Sequence, residues 1–291
     1  MINKHVPVLL EESIVNLNIK KNGVYVDCTF GSGGHSREIL SKLGENGKLI
    51  SFDCDSSVKE WLKNINDQRF FFINDNFSNL FFYLDEMKIK SVDGFLFDLG
   101  LSSMQLELPR GFSYRQNDSL DMRMNQNETL NAEKIVNEFS EQEIANIIYE
   151  LGEERKSYKI SKAICNSRKR ERITNSEDLT RIITGVLGKQ KNKQHPAKKT
   201  FQALRIKVNN ELENLTNTVN SIFKYLSENG RIVIISYHSL EDRIVKNIFK
   251  KKMLEDKSFD IFSKKPIIPN KEEIEFNNRA RSAKLRFIGK N

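Results

Sequence analysis

The sequence is poor in the residues that build disulfide or metal frameworks. Its 291 residues hold three cysteines (Cys28, Cys54, Cys165), an odd number without paired spacing, which reads as reduced thiols and excludes a disulfide frame. Four scattered histidines show no ligand spacing, so neither a zinc site nor any other metal is expected. No apolar run approaches the roughly 20 residues that span a bilayer, and the first residues carry no signal-peptide pattern. A cytoplasmic protein without a membrane partner is expected. Internal repeats and low-complexity linkers are missing as well.

Positive charge is abundant, and its placement is informative. The formal net charge is +8. Residues 128–154 hold eight acids against one lysine, whereas residues 155–199 hold fourteen Lys or Arg against three acids. The stretch "RARSAKLRFIGK" adds five positive charges and no negative one. Two separated basic surfaces suit a long phosphate backbone, although solvated helix faces and a fraying tail would read the same way.

The first hundred residues alternate short apolar runs with helical patterns, as in a parallel sheet with crossover helices. Strands are expected at "VYVDCT", "KLISFD", "FFFIND" and "DGFLFDLG", and a fifth at "RIVIISY" more than a hundred residues later. Before the fifth strand, apolar residues from Phe201 to Leu226 recur at helical spacing, which predicts one long amphipathic helix packed on the sheet. Between Met104 and His195 no strand signal is convincing. There "SEQEIANIIYELG" opens with a capping box, Ser140 to Glu143, and "SEDLTRIITGVLG" repeats its apolar stripe. The expected organisation is a discontinuous sheet domain, residues 1–104 with 200–291, and an inserted all-helical cap over 105–199.

The stretch "VDCTFGSGGHS" places a glycine loop between a strand and a helix, at the carboxyl edge of an open α/β sheet, where ligands bind. His35-Ser36 stands where a phosphate loop would need Lys-Ser or Lys-Thr. Asp53 ends the second strand, twenty residues beyond Gly33, suited to the hydroxyls of a ribose. A carboxylate at Asp27 faces a positively charged ligand more comfortably than a pyrophosphate. S-adenosylmethionine has a ribose, an ammonium and a sulfonium, and its carboxylate can use amides at the helix start. Asn74, Asp75, Asn76 and Phe77 end the third strand and suit an adenine; Asp98, with Ser102 and Ser103 beyond it, ends the fourth.

The blocks "HVPVLLEE", "YVDCTFGSGGHS", "DGFLFDLGLSSMQL", "RGFSY", "LDMRMN", "HPAKKTFQALRIKVNNEL", "GRIVIISYHSLEDRIVK" and "RARSAKLR", spanning His5 to Arg286, resemble those of the bacterial 16S rRNA cytosine-N4 methyltransferase family, the MraW/RsmH type. The resemblance implies a class I S-adenosylmethionine-dependent methyltransferase: an α/β, Rossmann-like fold with a mostly parallel sheet and an inserted helical cap. It implies methylation of a cytosine in the decoding centre of the small ribosomal subunit, with 16S rRNA as partner. It puts cofactor contacts on Gly33, Gly34, His35, Asp53, Phe77, Asp98 and Gln105. Ser119, "KKT" after "HPA", and Asn278 depart from the family pattern.

Transfer to an amino nitrogen needs alignment rather than a cysteine adduct. Asp98 is the first candidate to orient the amino group, partnered by Ser102 or Ser103. His238, at the end of the fifth strand, is expected on the substrate side, against a purely structural reading. Phe112 and Tyr114 are available to sandwich a flipped base, or to serve as core. Lys198, Lys199, Arg279, Arg281 and Arg286 are candidate phosphate contacts. A monomer and a dimer are both open. Three rivals also stand: a nicotinamide-dependent oxidoreductase, a non-catalytic rRNA-binding assembly factor, and a DNA amino-methyltransferase.

Overall fold

The five apolar runs lie in one sheet. The structure is a computed structural model that describes residues 7–188 and 195–291, and of Ser103 and Met104 only the backbone. His5 of the first resemblance block and residues 189–194 of the basic stretch lie outside the described residues.

In chain order the elements begin with α1 (Leu10–Leu17), β1 (Val24–Asp27), α2 (Gly34–Lys42), β2 (Lys48–Phe52), α3 (Lys59–Leu62), β3 (Phe70–Ile73), α4 (Leu80–Glu86) and β4 (Val92–Asp98). Six helices follow: α5 (Ser103–Glu107), α6 (Ala132–Glu138), α7 (Glu141–Gly152), α8 (Ser157–Arg168), α9 (Ser176–Leu187) and α10 (Lys198–Asn209). The chain continues through α11 (Glu211–Ile222), β5 (Leu226–Ser236), α12 (Ser239–Glu255), β6 (Ile261–Phe262), α13 (Lys271–Phe276) and β7 (Lys284–Gly289). It divides into two units, Met1–Gly100 with Leu212–Asn291, and Leu101–Glu211.

In the first unit the strand order is β3-β2-β1-β4-β5-β7-β6. Strands β1 to β5 run parallel, and β7 is antiparallel to both β5 and β6. The central strands read as continuous apolar runs because both of their faces are covered. Val26, Phe95, Phe97, Ile232 and Ile234 enter one core with α11 and α12. Tyr25, Leu96, Val233 and Ile235 enter the other with α1 and α2.

Two features differ from the sequence expectation. The predicted helix before β5 is broken at Asn210, whose φ of 50° ends α10 in the left-handed region, where Asn is among the few non-glycine residues tolerated. Its first half belongs to the second unit, which runs on past 199 to Glu211. The second feature is β7. The basic tail is a sheet strand hydrogen-bonded along β5 from Arg231 to Ser236.

The second unit is helical around a core of Ile135, Ile144, Ile148, Ile160, Ile164, Leu179, Ile183, Phe201 and Leu204. The Ser140–Glu143 capping box opens α7 as its spacing predicts. At the far end of α7, a Cβ on Gly152 would lie 2.6 Å from the Lys199 carbonyl, so the glycine permits close approach of α7 and α10.

Candidate functional site

The carboxyl edge of β1, β2 and β4 gathers Asp27, Asp53 and Asp98 around the glycine loop. Gly31 and Gly33 adopt φ of 55° and 76°, which turns the chain directly into α2. A Cβ on Gly33 would also meet the Phe30 ring at 2.7 Å. The α-carbon of Gly34 is covered by Pro7. The amides of Gly31 and Gly33 already donate to Asp53 and to the Phe30 carbonyl. What the stretch offers a ligand is therefore the amides opening α2, which have no intrahelical partner and point to where an anionic group is stabilised.

Asp53 ties this loop to β2. It accepts from the Gly31 amide at 2.8 Å and the Asp55 amide at 2.9 Å. Burial raises its pKa to about 6 against the pull of those two amides. Both oxygens retain lone pairs beyond these bonds, since a carboxylate has about four acceptor sites.

Asp98 is held from two sides. Its amide donates to Thr29 Oγ1 at 2.6 Å, and its Oδ1 accepts from Tyr237 Oη at 2.8 Å. Its Oδ2 lies 3.8 Å from His35 Nδ1, beyond hydrogen-bond reach. His35 is 5% exposed and its Nε2 is buried without a partner. Burial lowers its pKa although the Asp98 charge opposes the shift. Tyr237 is pushed well above its ordinary value, first by burial and then by the charge of Asp98.

Several expectations need correction. Asp27 does not face an open cleft: it is fully buried, accepting from Ser36 Oγ at 2.6 Å and the Thr29 amide at 3.1 Å. Burial raises its pKa to about 7 despite those bonds. Asp75 is consumed locally by Asn79 and Tyr83, and the Asn76 side chain accepts from the Ser78 amide. Phe77 needs no such correction: half-buried, it meets Phe97 edge-on with centroids 5.4 Å apart, and its contact with an adenine stays a proposal. His238 is the N-cap of α12, its Nδ1 accepting from the Glu241 amide at 3.4 Å, with Nε2 3.1 Å from Glu241 Oε1. Its Nδ1 thus serves the helix start, whereas Nε2 is buried without a hydrogen-bond partner, and the substrate-side role stays a proposal.

In the second unit Gln105 is 6% exposed and its Oε1 accepts from the Ser102 amide at 3.0 Å. Ser102 Oγ accepts from the Gln105 amide in return, so this hydroxyl caps α5. The side chain of Ser103 lies outside the described residues. Phe112 is in the core; Tyr114 packs at its margin, stacked on His195 at 4.5 Å.

The basic candidates separate. Arg281 and Arg279 are exposed, and Lys198 is half-buried. Lys199 Nζ bonds the Glu153 carbonyl at 2.7 Å. Arg286 is not a surface cation: it is 5% exposed and its Nε donates to Asp242 at 2.6 Å. The β5–β7 pairing draws its side chain over the sheet toward α12, which removes it from the phosphate contacts.

Tyr237 and Thr29 were not singled out from the sequence. The signal for Tyr237 is strand alternation, since Val233 and Ile235 share its face and that face is shared by Leu96, two residues before Asp98. These residues fit S-adenosylmethionine. The amides opening α2 suit its carboxylate, Asp53 suits its ribose hydroxyls, and Asp98 suits the positively charged end.

Comparison with known proteins agrees. The protein named ribosomal RNA small subunit methyltransferase H from Caldicellulosiruptor saccharolyticus is 46% identical over 306 residues, covering 99% of each chain. Its namesake from Halothermothrix orenii is 45% identical over 304 residues, covering 97% of each. The one from Mycoplasma mycoides is 45% identical over 312 residues and covers both chains fully. The model of the MraW methylase family matches residues 2–291. The chain therefore belongs to the MraW methylase family and is a methyltransferase whose donor is S-adenosylmethionine.

Proposed function

We propose that this enzyme methylates the N4 amino group of a cytosine in the decoding centre of 16S rRNA, in the small ribosomal subunit and in the cytoplasm. The observation that carries the reading is Asp98, fixed at the edge of the sheet by Tyr237 and Thr29. The names of relatives 45–46% identical along the whole chain support the rRNA substrate.

S-adenosylmethionine supplies an electrophilic methyl group when bound. The protein's task is alignment, which can be worth about 7–11 kcal/mol. The amino nitrogen of cytosine is a weak nucleophile because its lone pair is delocalised into the ring. Asp98 accepts a hydrogen bond from that amino group, orienting the nitrogen and favouring localisation of the pair. The Tyr237 bond keeps the carboxylate from swinging away. The target base leaves its stack to reach the donor, at a cost of a few kcal/mol.

The test is incubation of the enzyme with labelled S-adenosylmethionine and small subunits that lack the modification, followed by mapping of the labelled nucleotide. Label on a cytosine amino nitrogen is expected. Label on another base or ring position, or none on RNA, would overturn the assignment.

A further inference from the structure

We propose that the solvent face of α8 is a tracking surface for the RNA backbone, with Tyr158 as its stacking platform. The inference rests on the RNA substrate argued above and names the surface that holds it.

The buried side of α8 is Ser157, Ile160, Ser161, Ile164 and Cys165. Its exposed side, with the residues flanking each end, carries Arg155, Lys156, Lys159, Lys162, Lys169 and Arg170. Helical spacing puts Lys159, Lys162 and the C-cap Lys169 along one stripe, and Arg155 lies in the turn just before the helix. Like charges so placed repel, which disfavours the helix unless something neutralises them.

Several other cations of this unit are matched. Arg172 pairs with Glu133 and Glu138, Arg181 with Glu177 and Asp178, and Arg168 donates to the Val136 carbonyl. Among the described residues none of the six cations of the α8 face has an acidic partner within the unit. The acidic helix α7 precedes α8, yet its Glu141, Glu143 and Glu150 remain exposed on their own helix.

Tyr158 stands within this field at 59% exposure, its hydroxyl donating to Gln142 Oε1 at 3.0 Å. The bond fixes the ring on the surface instead of letting it fold down. Cations spaced for a backbone beside a fixed aromatic face are the components of single-strand binding. An anionic lipid surface would use the charges without requiring a fixed ring, so RNA is the occupant that accounts for both.

The experiment measures binding of the full-length enzyme to unmodified small ribosomal subunits across a salt series. It compares wild type with a variant carrying Arg155→Ala, Lys159→Ala, Lys162→Ala and Lys169→Ala. The variant is expected to lose about tenfold or more in affinity, and its salt slope to flatten by roughly three, since each contact contributes about 0.7–0.9. Calorimetric binding of S-adenosylmethionine is expected to stay unchanged. Tyr158→Ala should weaken binding with the slope preserved, and Tyr158→Phe should retain most of it. An unchanged slope in the quadruple variant overturns this surface while leaving the substrate intact. Loss of binding to phosphatidylglycerol vesicles with no effect on subunits also overturns it. Wild-type enzyme that neither binds nor methylates subunits would instead overturn the proposed function.

Discussion

Tyr237 Oη donates to Asp98 Oδ1 at 2.8 Å, linking the end of β5 to the end of β4. Gly100 makes room for this link, because a Cβ there would lie 2.7 Å from the tyrosine ring. In the proposed reaction the phenol would act only through the carboxylate it holds, as a positioning residue.

Tyr237→Phe removes only the hydroxyl. A hydrogen bond to a charged group contributes about 1.5–3 kcal/mol to stability, so the melting temperature should fall by a few degrees, and methyl transfer by the still-folded variant should fall by about tenfold or more. Asp98→Ala should lower both donor binding and turnover. Turnover unaffected by Tyr237→Phe, measured with saturating donor, would remove the tyrosine from the positioning of Asp98.

Two glycines should respond in opposite directions to alanine. Gly33→Ala forces a side chain into a left-handed conformation and against the Phe30 ring, costing about 1–2 kcal/mol and weakening donor binding. Gly185 lies inside α9 with nothing within 4 Å of its added Cβ. Gly185→Ala should therefore raise stability by about 0.5–1 kcal/mol. Thermal denaturation of the two variants reads both effects.

Asp27 makes apo-protein stability depend on pH. The folded protein holds this proton up to about pH 7, whereas the carboxyl's ordinary pKa is 3.8. Stability from this group falls as pH rises across that window and is level above it, because the folded state binds more protons. Asp27→Asn should remove that decline, an effect on the order of 4 kcal/mol over the whole window, of which about 3 kcal/mol falls between pH 5 and pH 8. Denaturant midpoints at pH 5 and pH 8 that fall equally in variant and wild type would contradict it.

Arg286 and Asp242 form a nearly dry pair. Burial acts to raise the pKa of Asp242, but the hydrogen bonds and charges of Arg286 and Lys284 together outweigh it and hold the carboxyl below its ordinary value. Asp242→Asn leaves the arginine charge buried and uncompensated, so about 3–5 kcal/mol should be lost. In wild type this contribution is present at neutral pH and disappears as pH falls through the depressed folded value. An Asp242→Asn variant melting like wild type would show the pair to be dispensable.

Sequence patterning revealed the elements whose chemistry is uniform. Strands β1, β4 and β5 are visible because Tyr25, Val26, Phe95, Leu96, Ile232 and Val233 fill apolar layers on both faces. Strand β7 is hidden because Lys284 and Arg286 interrupt its apolar run, and only the partner on α12 makes Arg286 tolerable there. The break at Asn210 is hidden because the apolar period continues through it. At the site, Asp53 and Asp98 follow from their strand ends. His238 was the more conspicuous residue for chemistry, yet period-two alternation puts Tyr237 on the Asp98 face. Ser36 and Ser51, bonded at 2.8 Å behind Asp27, are small polar residues that no spacing rule marks.

Strand β7 comes last of the seven in chain order and lies between β5 and β6. During synthesis, the flank of β5 that it covers stays open until residues 284–289 have left the ribosome. Until then a row of amides and carbonyls on a central, highly apolar strand is available to any other extended chain. Nascent molecules stalled or clipped before that point should be the ones that cluster together, while the helical insert, whose contacts are local, has already had time to form.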